Sequence, residues 1–565
     1  MRFTALLGAF ALLSLAEVSF AQERVDRDVC VTQARAFGFE IARNVELLRP
    51  ELGALCIDVA EIANERGDAE ASRRMRERGV SLLTAAGVNE PELIMRAADL
   101  ALAARECARA VELRRAALAA HESSAGANDA SSYPYQMDLA DAMECGGRAG
   151  EGSEMRSRGR TNAAQTMAQA RGARLTQYDW ATANHARVLY ATTRRPSQQG
   201  AHRGAVGQGA TRYGEALVNI PRFNSRAVED RATDASSQDL QRRVTFREDL
   251  PFADRQEFIQ QLRASMPGRR GGAEVLVFVH GYNTSFTSAV TRAASLGALL
   301  EIDGAVVAFS WPSAGRLLSY IDDGNVAQND ANYGALARLL RDVVAQERVR
   351  RVYVVAHSMG NRLLIRALDE VRQETPRSGR AVVFDEIVFA SPDVRRREFE
   401  TVIPRVRHLA TRMTLYASNR DRALRVSTFL HFFDLRPRVG IADPPMDMEE
   451  TETVVTTDVS SGSFGHDDFS SNARDDLRGV VWQSQQPSRR CVLANAGSPR
   501  VWEFRPQPDC SPTAYRAALW YRRHYPGQEI ARLDQTIARL QQSGAESTRL
   551  EYHRAARRLL QSWGG

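Results

Sequence analysis

The feature of this 565-residue chain that most constrains its fold is a series of short apolar runs between residues 273 and 485. Stretches of helical spacing lie between most of these runs, which occupy 275–279, 305–309, 352–356, 387–390, 413–417 and 454–457. Apolar strands that alternate with helices are typical of a parallel sheet covered on both faces. Two earlier strands, at 186–192 and 215–220, and a helix at 258–266 are also predicted. The pattern predicts an α/β domain over residues 176–485.

The region before this domain, residues 22–175, has a helical pattern. It is rich in Ala, Leu, Glu and Arg, and its apolar residues recur at three-and-four spacing. Residues 63–70 resemble residues 142–149, and Cys107 lies midway, so the interval is about 40 residues, near that of helical-hairpin repeats. A degenerate tetratricopeptide-type array and an irregular helical bundle both fit this pattern.

Glycines and chain composition predict where the helical segments end. Gly67, Gly79 and Gly87 are interpreted as helix stops.

Residues 486–565 form a C-terminal extension that is predicted to be mostly helical. Its last part, 515–565, is predicted to form one or two exposed amphipathic helices.

The first 21 residues predict export. Arg2 supplies a positive start, the next stretch is apolar, and Ser19 and Ala21 are small residues at positions −3 and −1 of a cut after Ala21. We expect a cleaved signal peptide (1–21), a mature chain from Gln22, a periplasmic or secreted location and no remaining membrane span. An uncleaved anchor is the alternative, but the apolar stretch is short and Glu17 would be costly in hydrocarbon.

Six cysteines fit an oxidising compartment, because an even number in an exported chain is typical of disulfides. Their spacing favours three pairs: Cys30 with Cys56, Cys107 with Cys145, and Cys491 with Cys510. No cysteine or histidine cluster has the spacing of a zinc site. We therefore predict no metal and no cofactor.

The distribution of charged residues indicates whether the chain binds nucleic acid. The formal net charge is +6, and all 75 basic residues are arginines. Arginines can contact phosphates, but here they are interspersed with Asp and Glu, and no block of like charge marks a nucleic-acid groove. We attribute the arginine usage to the base composition of the source genome and predict no nucleic-acid partner.

The sequence around Ser358 predicts a catalytic serine. Residues 356–360 read Ala-His-Ser-Met-Gly and lie between an apolar strand and a helix. This is the context of a nucleophile elbow, a sharp turn that presents the serine hydroxyl at the edge of the sheet. Ser358 is therefore the predicted nucleophile, while His357, inside the elbow, is interpreted as structural.

A second loop is predicted to complete an oxyanion hole. The strand at 275–279 runs into residues 280–283, His-Gly-Tyr-Asn, where such a loop is expected. The backbone N–H groups of Tyr282 and Met359 are the predicted donors to the oxyanion. His280 is interpreted as a structural residue of this loop. Trp311, after the next strand, either lines the pocket or packs in the core.

The acid and base of a triad should follow later strands in the order Ser, Asp, His. Asp421 follows the strand at 413–417 and is the predicted acid, with Asp393, at the end of the preceding strand, as the alternative. His466 follows the next strand and is the predicted base. His408 and His431 lie before or too close after the acid's strand, and we interpret them as surface or core residues.

A family resemblance covers residues 185–485. Its motifs, in order, are HGYN (280–283), FSWPS (309–313), YIDD (320–323), AHSMGNR (356–362), ASPD (390–393), LYAS (415–418), DRAL (421–424), RVG (438–440) and GH (465–466). The chain resembles a bacterial family of uncharacterised α/β-hydrolase-fold proteins with an HGYN…FSWPS…AHSMGN signature. The segment LYATTR (189–194) also resembles the family's N-terminal strands. The resemblance implies an α/β-hydrolase fold with a mostly parallel sheet, and it implies no particular substrate.

These observations predict an exported, esterase- or lipase-like serine hydrolase. Its substrate would be a carboxylic ester or related acyl compound, a small molecule or a lipid, cleaved through an acyl-enzyme. One alternative is a non-catalytic hydrolase-fold scaffold in the cell envelope, although a pure scaffold need not keep Ser, Asp and His. Another is an acyltransferase or peptidase on the same triad. In every case the N-terminal helical region is a candidate to bind a protein partner.

Overall fold

A computed structural model describes most of the chain. The described residues are 23–24, 28–37, 46–47, 49–85, 91–125, 132–157, 185–195, 210–219, 245–266, 273–282, 284–313, 320–374, 384–419, 438–457, 471–505, 510–545 and 547–564. The predicted signal peptide, Gly87, Asp421, His431 and His466 lie outside them. The chain divides into two compact units, Met1–Ala117 and Leu118–Gly565.

Helices dominate the first unit and the start of the second. Two short strands, β1 (Glu23–Arg24) and β2 (Glu46–Leu47), pair antiparallel. The helices are α1 (Val29–Ala36), α2 (Arg49–Glu65), α3 (Ala69–Ala85), α4 (Pro91–Ala103), α5 (Cys107–Ala125), α6 (Tyr133–Cys145) and α7 (149–157). The predicted helical N-terminal region is confirmed.

Three helix-to-helix turns in this region have the same geometry. Each turn has one residue with positive φ: Gly67 at 79°, Arg105 at 56° and Gly147 at 75°. In each turn the next residue donates its backbone N–H five residues back, over 2.8–2.9 Å, as in a Schellman motif. The three turns recur at intervals of about 40 residues, the spacing of a helical-hairpin repeat.

One predicted helix stop is wrong. Gly79 lies inside α3, where a Cβ atom would come within 2.9 Å of the Gly53 carbonyl oxygen and 2.8 Å of Ile57 Cδ1. The absence of a side chain therefore lets α2 and α3 pack closely. A glycine that ends a helix and one that allows close helix packing look alike in a sequence.

The second unit contains an eleven-stranded sheet. Its strands are β3 (His185–Thr192), β4 (Arg212–Asn219), β5 (Thr245–Pro251), β6 (Ala273–Val279), β7 (Gly304–Ser310), β8 (Val349–His357), β9 (Phe384–Ala390), β10 (Ala410–Ala417), β11 (Glu452–Val455), β12 (Leu493–Ser498) and β13 (Val501–Phe504). Their order is β12-β13-β11-β10-β9-β8-β6-β7-β3-β4-β5. All neighbours from β13 to β3 are parallel, and the pairs β3–β4, β4–β5 and β12–β13 are antiparallel. The predicted mostly parallel sheet is confirmed.

Helices cover both faces of this sheet. They are α8 (Arg255–Ala264), α9 (Phe286–Leu299), α10 (Tyr320–Ala327), α11 (Asp330–Val344), α12 (Gly360–Glu374), α13 (Arg396–Val406), α14 (Ser471–Gln483), α15 (Pro512–His524), α16 (Glu529–Gln542) and α17 (Ser547–Trp563). Alternate residues of a strand point to opposite faces. Val275 and Val277 accordingly join one core cluster, and Leu276 and Phe278 join the other.

The end of the chain is more buried than the sequence pattern indicates. The strands β12 and β13 lie beyond residue 485 and extend the same sheet. Three helices follow them, and residues 514–521 of α15 are all buried. The prediction of one or two exposed amphipathic helices holds for α16 and α17, which have few buried residues. It fails for α15, because α15 packs against α14, α16 and α17 and needs apolar residues on more than one side.

All six cysteines are in disulfides. Cys30 bonds to Cys56, and Cys491 bonds to Cys510. Cys107 and Cys145 are disulfide-bonded as well. Disulfides are typical of proteins in oxidising compartments outside the cytoplasm.

Candidate active site

Ser358 lies on the sharp turn between β8 and α12. Its φ is 51°, a left-handed conformation that non-glycine residues rarely adopt and that clusters at functional sites. The Ser358 N–H donates to the Ala390 carbonyl over 2.9 Å, and the Asp393 N–H donates to the Ser358 carbonyl over 3.1 Å. The turn is therefore fastened to the end of β9. This is the geometry of a nucleophile elbow.

Asn361 strengthens the same turn. Its amide nitrogen Nδ2 donates to the Ser358 carbonyl over 3.0 Å, with longer bonds to Ala356 at 3.2 Å and Ala390 at 3.3 Å. Asn361 is fully buried. Its side chain ties the first turn of α12 to both neighbouring strand ends, which the sequence pattern did not predict because an Asn after a turn has many ordinary roles.

The predicted oxyanion loop lies directly against the elbow. A Cβ atom on Gly281 would be 2.8 Å from Ser358 Cβ and 2.9 Å from His357 Nδ1. A Cβ atom on Gly360 would be 2.4 Å from the His280 carbonyl oxygen. Only glycine allows this approach. The backbone of residues 280–281 therefore lies against Ser358 and the first turn of α12. The oxyanion hole of Tyr282 and Met359 stays a prediction.

His280 is fully buried and helps to hold this loop. Its ring stacks on Trp311 with centroids 5.1 Å apart, Nε2 lies 3.1 Å from the Trp311 carbonyl oxygen, and the Trp311 indole donates to the His280 carbonyl over 2.7 Å. Burial, and next the Arg194 guanidinium, hold the pKa of His280 well below its usual range. Its other ring nitrogen, Nδ1, lies 2.8 Å from the Gly281 carbonyl oxygen, and this buried set of backbone contacts fits the interpretation of His280 as structural. Trp311 is likewise fully buried in the core.

The alternative acid, Asp393, is engaged elsewhere. Its carboxylate accepts from Arg362 over 3.0 Å and lies 3.5 Å from Arg438 Nε, and it is fully buried. Arg362 also donates to the Asp393 carbonyl over 2.7 Å. The two arginines neutralise this carboxylate and join the end of β9 to α12 and to the 438–442 loop.

The segments that carry the predicted acid and base begin side by side. Asn419, two residues before Asp421, donates its backbone N–H to Thr457 Oγ1 over 2.9 Å. Thr457 is the last described residue before the segment with His466. Both segments leave the carboxyl edge of the sheet, from β10 and β11, the two strands that follow β9 in the sheet order.

Arg194, just after β3, is a residue of this edge that the sequence analysis did not single out. Its guanidinium is buried and contacts the loops after β6 and β7. In the sequence it ends the LYATTR segment (189–194) and stands beside Arg195, and the resemblance of that segment implies nothing about burial. Only a contact across about 90 to 120 residues of chain distinguishes them.

The described part of the chain contains one cluster of potential metal ligands, and this cluster does not form a metal site. Asp28, Cys30 and Cys56 lie close enough to share an ion. The two sulfurs are already bonded to each other, however, so neither is available as a thiolate ligand.

Comparison with known proteins agrees with this architecture. Residues 252–474 match a family described as "Alpha/beta hydrolase of unknown function (DUF900)". The chain has an α/β-hydrolase fold. The uncharacterized protein alr1448 of Nostoc sp. is 29% identical over 167 residues, which is 22% of this chain and 43% of that relative. The chain thus covers less than half of this relative's length.

No solved structure matches the chain significantly. Among the helices of the described residues, none combines the length and apolar character needed to span a bilayer.

Proposed function

We propose that this α/β-hydrolase is a serine hydrolase that cleaves a carboxylic ester or a related acyl substrate. The observation that carries the proposal is Ser358 at positive φ on a turn between a central parallel strand and a helix, with the Gly281 backbone packed against it. Hydrolytic use of an α/β-hydrolase fold needs this placement, because the nucleophile must lie beside backbone N–H groups that stabilise an oxyanion.

The proposed triad uses Asp421 and His466. Asp393, the other acid considered, is occupied by Arg362 and Arg438, which favours Asp421. The contact between Asn419 and Thr457 favours proximity of the two segments that carry the acid and base. The order of strands, with β10 and β11 after β9, is the order in which such triads place their acid and base.

The proposed reaction proceeds in two steps. His466 takes the proton of Ser358 Oγ, and the oxygen attacks the substrate carbonyl carbon to give a tetrahedral oxyanion held by the N–H groups of Tyr282 and Met359. The bond to the leaving group then breaks, and His466 returns the proton to that group. Water, deprotonated by His466, attacks the carbonyl carbon of the acyl-enzyme. The bond to Ser358 Oγ then breaks, His466 returns the proton to Oγ, and a carboxylic acid is released. Asp421 orients and stabilises the His466 imidazolium.

Export is part of the proposal. The disulfides are in keeping with an oxidising compartment. We propose cleavage after Ala21 and a periplasmic or secreted mature protein from Gln22. N-terminal sequencing of the protein recovered from the periplasm or the medium tests this, and an intact Met1 would contradict it.

The first experiment treats the mature chain with a fluorophosphonate probe and locates the adduct by mass spectrometry. We expect an adduct on Ser358 that is absent in Ser358→Ala. Ser391→Ala is the matched control, because Ser391 is also buried, also has positive φ (40°) and follows the next strand, and its loss should leave labelling intact. A folded wild-type protein without an adduct would contradict the proposal and favour the scaffold function.

A second set of variants tests the triad. We expect Asp421→Asn and His466→Gln to reduce labelling about 10²-fold or more. Asp393→Asn is the comparison: if it abolishes labelling at unchanged thermal stability while Asp421→Asn does not, the acid is Asp393. Product analysis with water and alcohol acceptors then separates a hydrolase from an acyltransferase.

A further inference from the structure

Arg194 joins three points at the carboxyl edge of the sheet. Its Nε donates to Ser310 Oγ over 2.9 Å, one terminal nitrogen donates to the Ser313 carbonyl over 3.0 Å, and the other donates to the Thr284 carbonyl over 2.7 Å. Its side chain lies on the inside of these loops, since the residue is only 4% exposed. We call Arg194, Thr284, Ser310 and Ser313 the loop clamp.

The loop clamp is connected to the oxyanion loop. Thr284 Oγ1 donates to the Tyr282 carbonyl over 3.1 Å, and the Thr284 N–H donates to Ser313 Oγ over 3.3 Å. Fixing Thr284 therefore fixes the chain immediately after the predicted donor Tyr282. The other side of the same loop is held by the elbow through Gly281.

The clamp is also anchored to the sheet. The Arg194 N–H donates to Thr192 Oγ1 over 3.2 Å, and this hydroxyl donates to the Ser310 carbonyl over 2.7 Å. β3 and β7 are parallel neighbours, so Arg194 starts from a rigid part of the fold. A guanidinium has five donors in a fixed planar fork, whereas an ammonium is a point charge that does not span three acceptors in this arrangement.

We propose that Arg194 is a positioning residue, which holds the loop after β6 so that the Tyr282 N–H is aligned with the oxyanion formed at Ser358. This inference rests on the proposed hydrolase function. An oxyanion-hole donor acts only when it lies within hydrogen-bond distance of the developing charge. Loss of the clamp should therefore reduce turnover while leaving ground-state binding nearly unchanged.

The test compares Arg194→Lys with Arg412→Lys. Arg412 is a matched control, because it is also buried and also donates to backbone carbonyls, those of Ser484 and Gln485, away from the active edge. The measurements are kcat and KM for p-nitrophenyl butyrate, the rate of fluorophosphonate labelling, and affinity for a trifluoromethyl ketone. Such a ketone forms a tetrahedral oxyanion adduct with an active serine.

For Arg194→Lys we expect kcat, labelling rate and ketone affinity each to fall about 10- to 100-fold, with KM changed less than about 3-fold. Hydrogen exchange of residues 280–284 and 311–313 should rise. Arg412→Lys should lower thermal stability without these kinetic effects. If Arg194→Lys does not fold, Ser310→Ala, which removes one acceptor of the clamp, should lower kcat about 3- to 10-fold.

The outcomes separate this inference from the proposed function. If the wild-type protein is not labelled at Ser358, the proposed function fails and the positioning role fails with it. If the wild-type is labelled and folded Arg194→Lys keeps its kcat and ketone affinity, the positioning role alone is overturned. If Arg194→Lys changes KM alone and keeps its kcat, the positioning role is overturned as well. If Arg194→Lys does not fold, an unchanged kcat in Ser310→Ala overturns it.

Discussion

Buried arginines have different partners in two regions of this molecule. In the loop clamp, Arg194 donates to two backbone carbonyls and a hydroxyl. Beneath the C-terminal helices, Arg490 is fully buried and binds two carboxylates, Asp476 over 2.9 Å and Glu452 over 2.8 Å. We call Arg490, Asp476, Glu452 and Tyr416, whose hydroxyl donates to Asp476 over 2.8 Å, the C-terminal network.

The difference shows how one residue type serves two purposes. Backbone carbonyls belong to loops, so the loop clamp fixes loop shape next to Ser358. Carboxylates on α14 and β11 belong to regular elements, so the C-terminal network fixes how those elements pack. We therefore expect changes in the first region to reduce reactivity and changes in the second to reduce stability.

The largest expected effect is on stability, from Arg490→Met. Removing one partner of a buried ion pair leaves uncompensated charge on the fully buried Asp476, which costs about 3–5 kcal/mol. Urea denaturation measures the free energy of unfolding. Arg505→Met is the control, because Arg505 is 71% exposed and its pair with Glu503 contributes little. A loss below about 1 kcal/mol for Arg490→Met would contradict the role of the network.

Gly281→Ala, in contrast, should reduce the reactivity of Ser358 more than it reduces stability. The new methyl group would lie 2.8 Å from Ser358 Cβ, so the loop or the elbow must move. A displacement of about 1 Å at a reacting centre costs about 10²-fold in rate. We expect a fall of that size in the rate of Ser358 labelling, with a smaller relative change in stability. Gly497→Ala, in the hairpin β12–β13 where a Cβ atom meets nothing, should lower stability without changing the labelling rate.

Glu386, which lies beside the C-terminal network, makes stability depend on pH. Burial raises the pKa of Glu386 from its usual 4.5 to about 8. The folded protein therefore keeps a proton that the unfolded chain releases, and the free energy of unfolding falls as pH rises from about 4.5 to 8. Burial also raises the pKa values of Glu452 and Asp476, so these two carboxyls likewise lower the free energy of unfolding as pH rises.

Unfolding at pH 5 and pH 8 measures this dependence. Glu386→Gln should reduce the difference between the two values, whereas Glu551→Gln, at an exposed position, should leave it unchanged. An undiminished difference in Glu386→Gln would show that the buried carboxyl is not its source.

The smallest expected effect concerns a neutral contact of the C-terminal helices. The Tyr521 hydroxyl donates to Thr536 Oγ1 over 2.9 Å, which joins α15 to α16. Tyr521→Phe should lower the free energy of unfolding by about 1 kcal/mol. In a double-mutant cycle with Thr536→Val the two losses should not add. Full additivity would mean that the contact contributes nothing.

Local patterns predicted the repetitive part of this fold. The apolar runs at 275–279, 305–309, 352–356 and 413–417 all lie within strands, because a strand buried on both faces needs continuous apolar residues. The sequence also predicted the turn at Ser358, because small residues on both sides of a serine between a strand and a helix are typical of a nucleophile elbow. The strand pair at 493–504 was missed, because it is short and polar in its first half.

The sequence by itself therefore determined the class of the fold, the elbow and the order in which an acid and a base could follow it. These depend on residue type and chain order. Only the tertiary structure decided that Gly79 packs against a helix, that Asp393 is paired with arginines, that α15 is buried, and which of Arg194 and Arg195 holds the loops. Each of these depends on contacts between residues far apart in the chain, and no local pattern encodes such a contact.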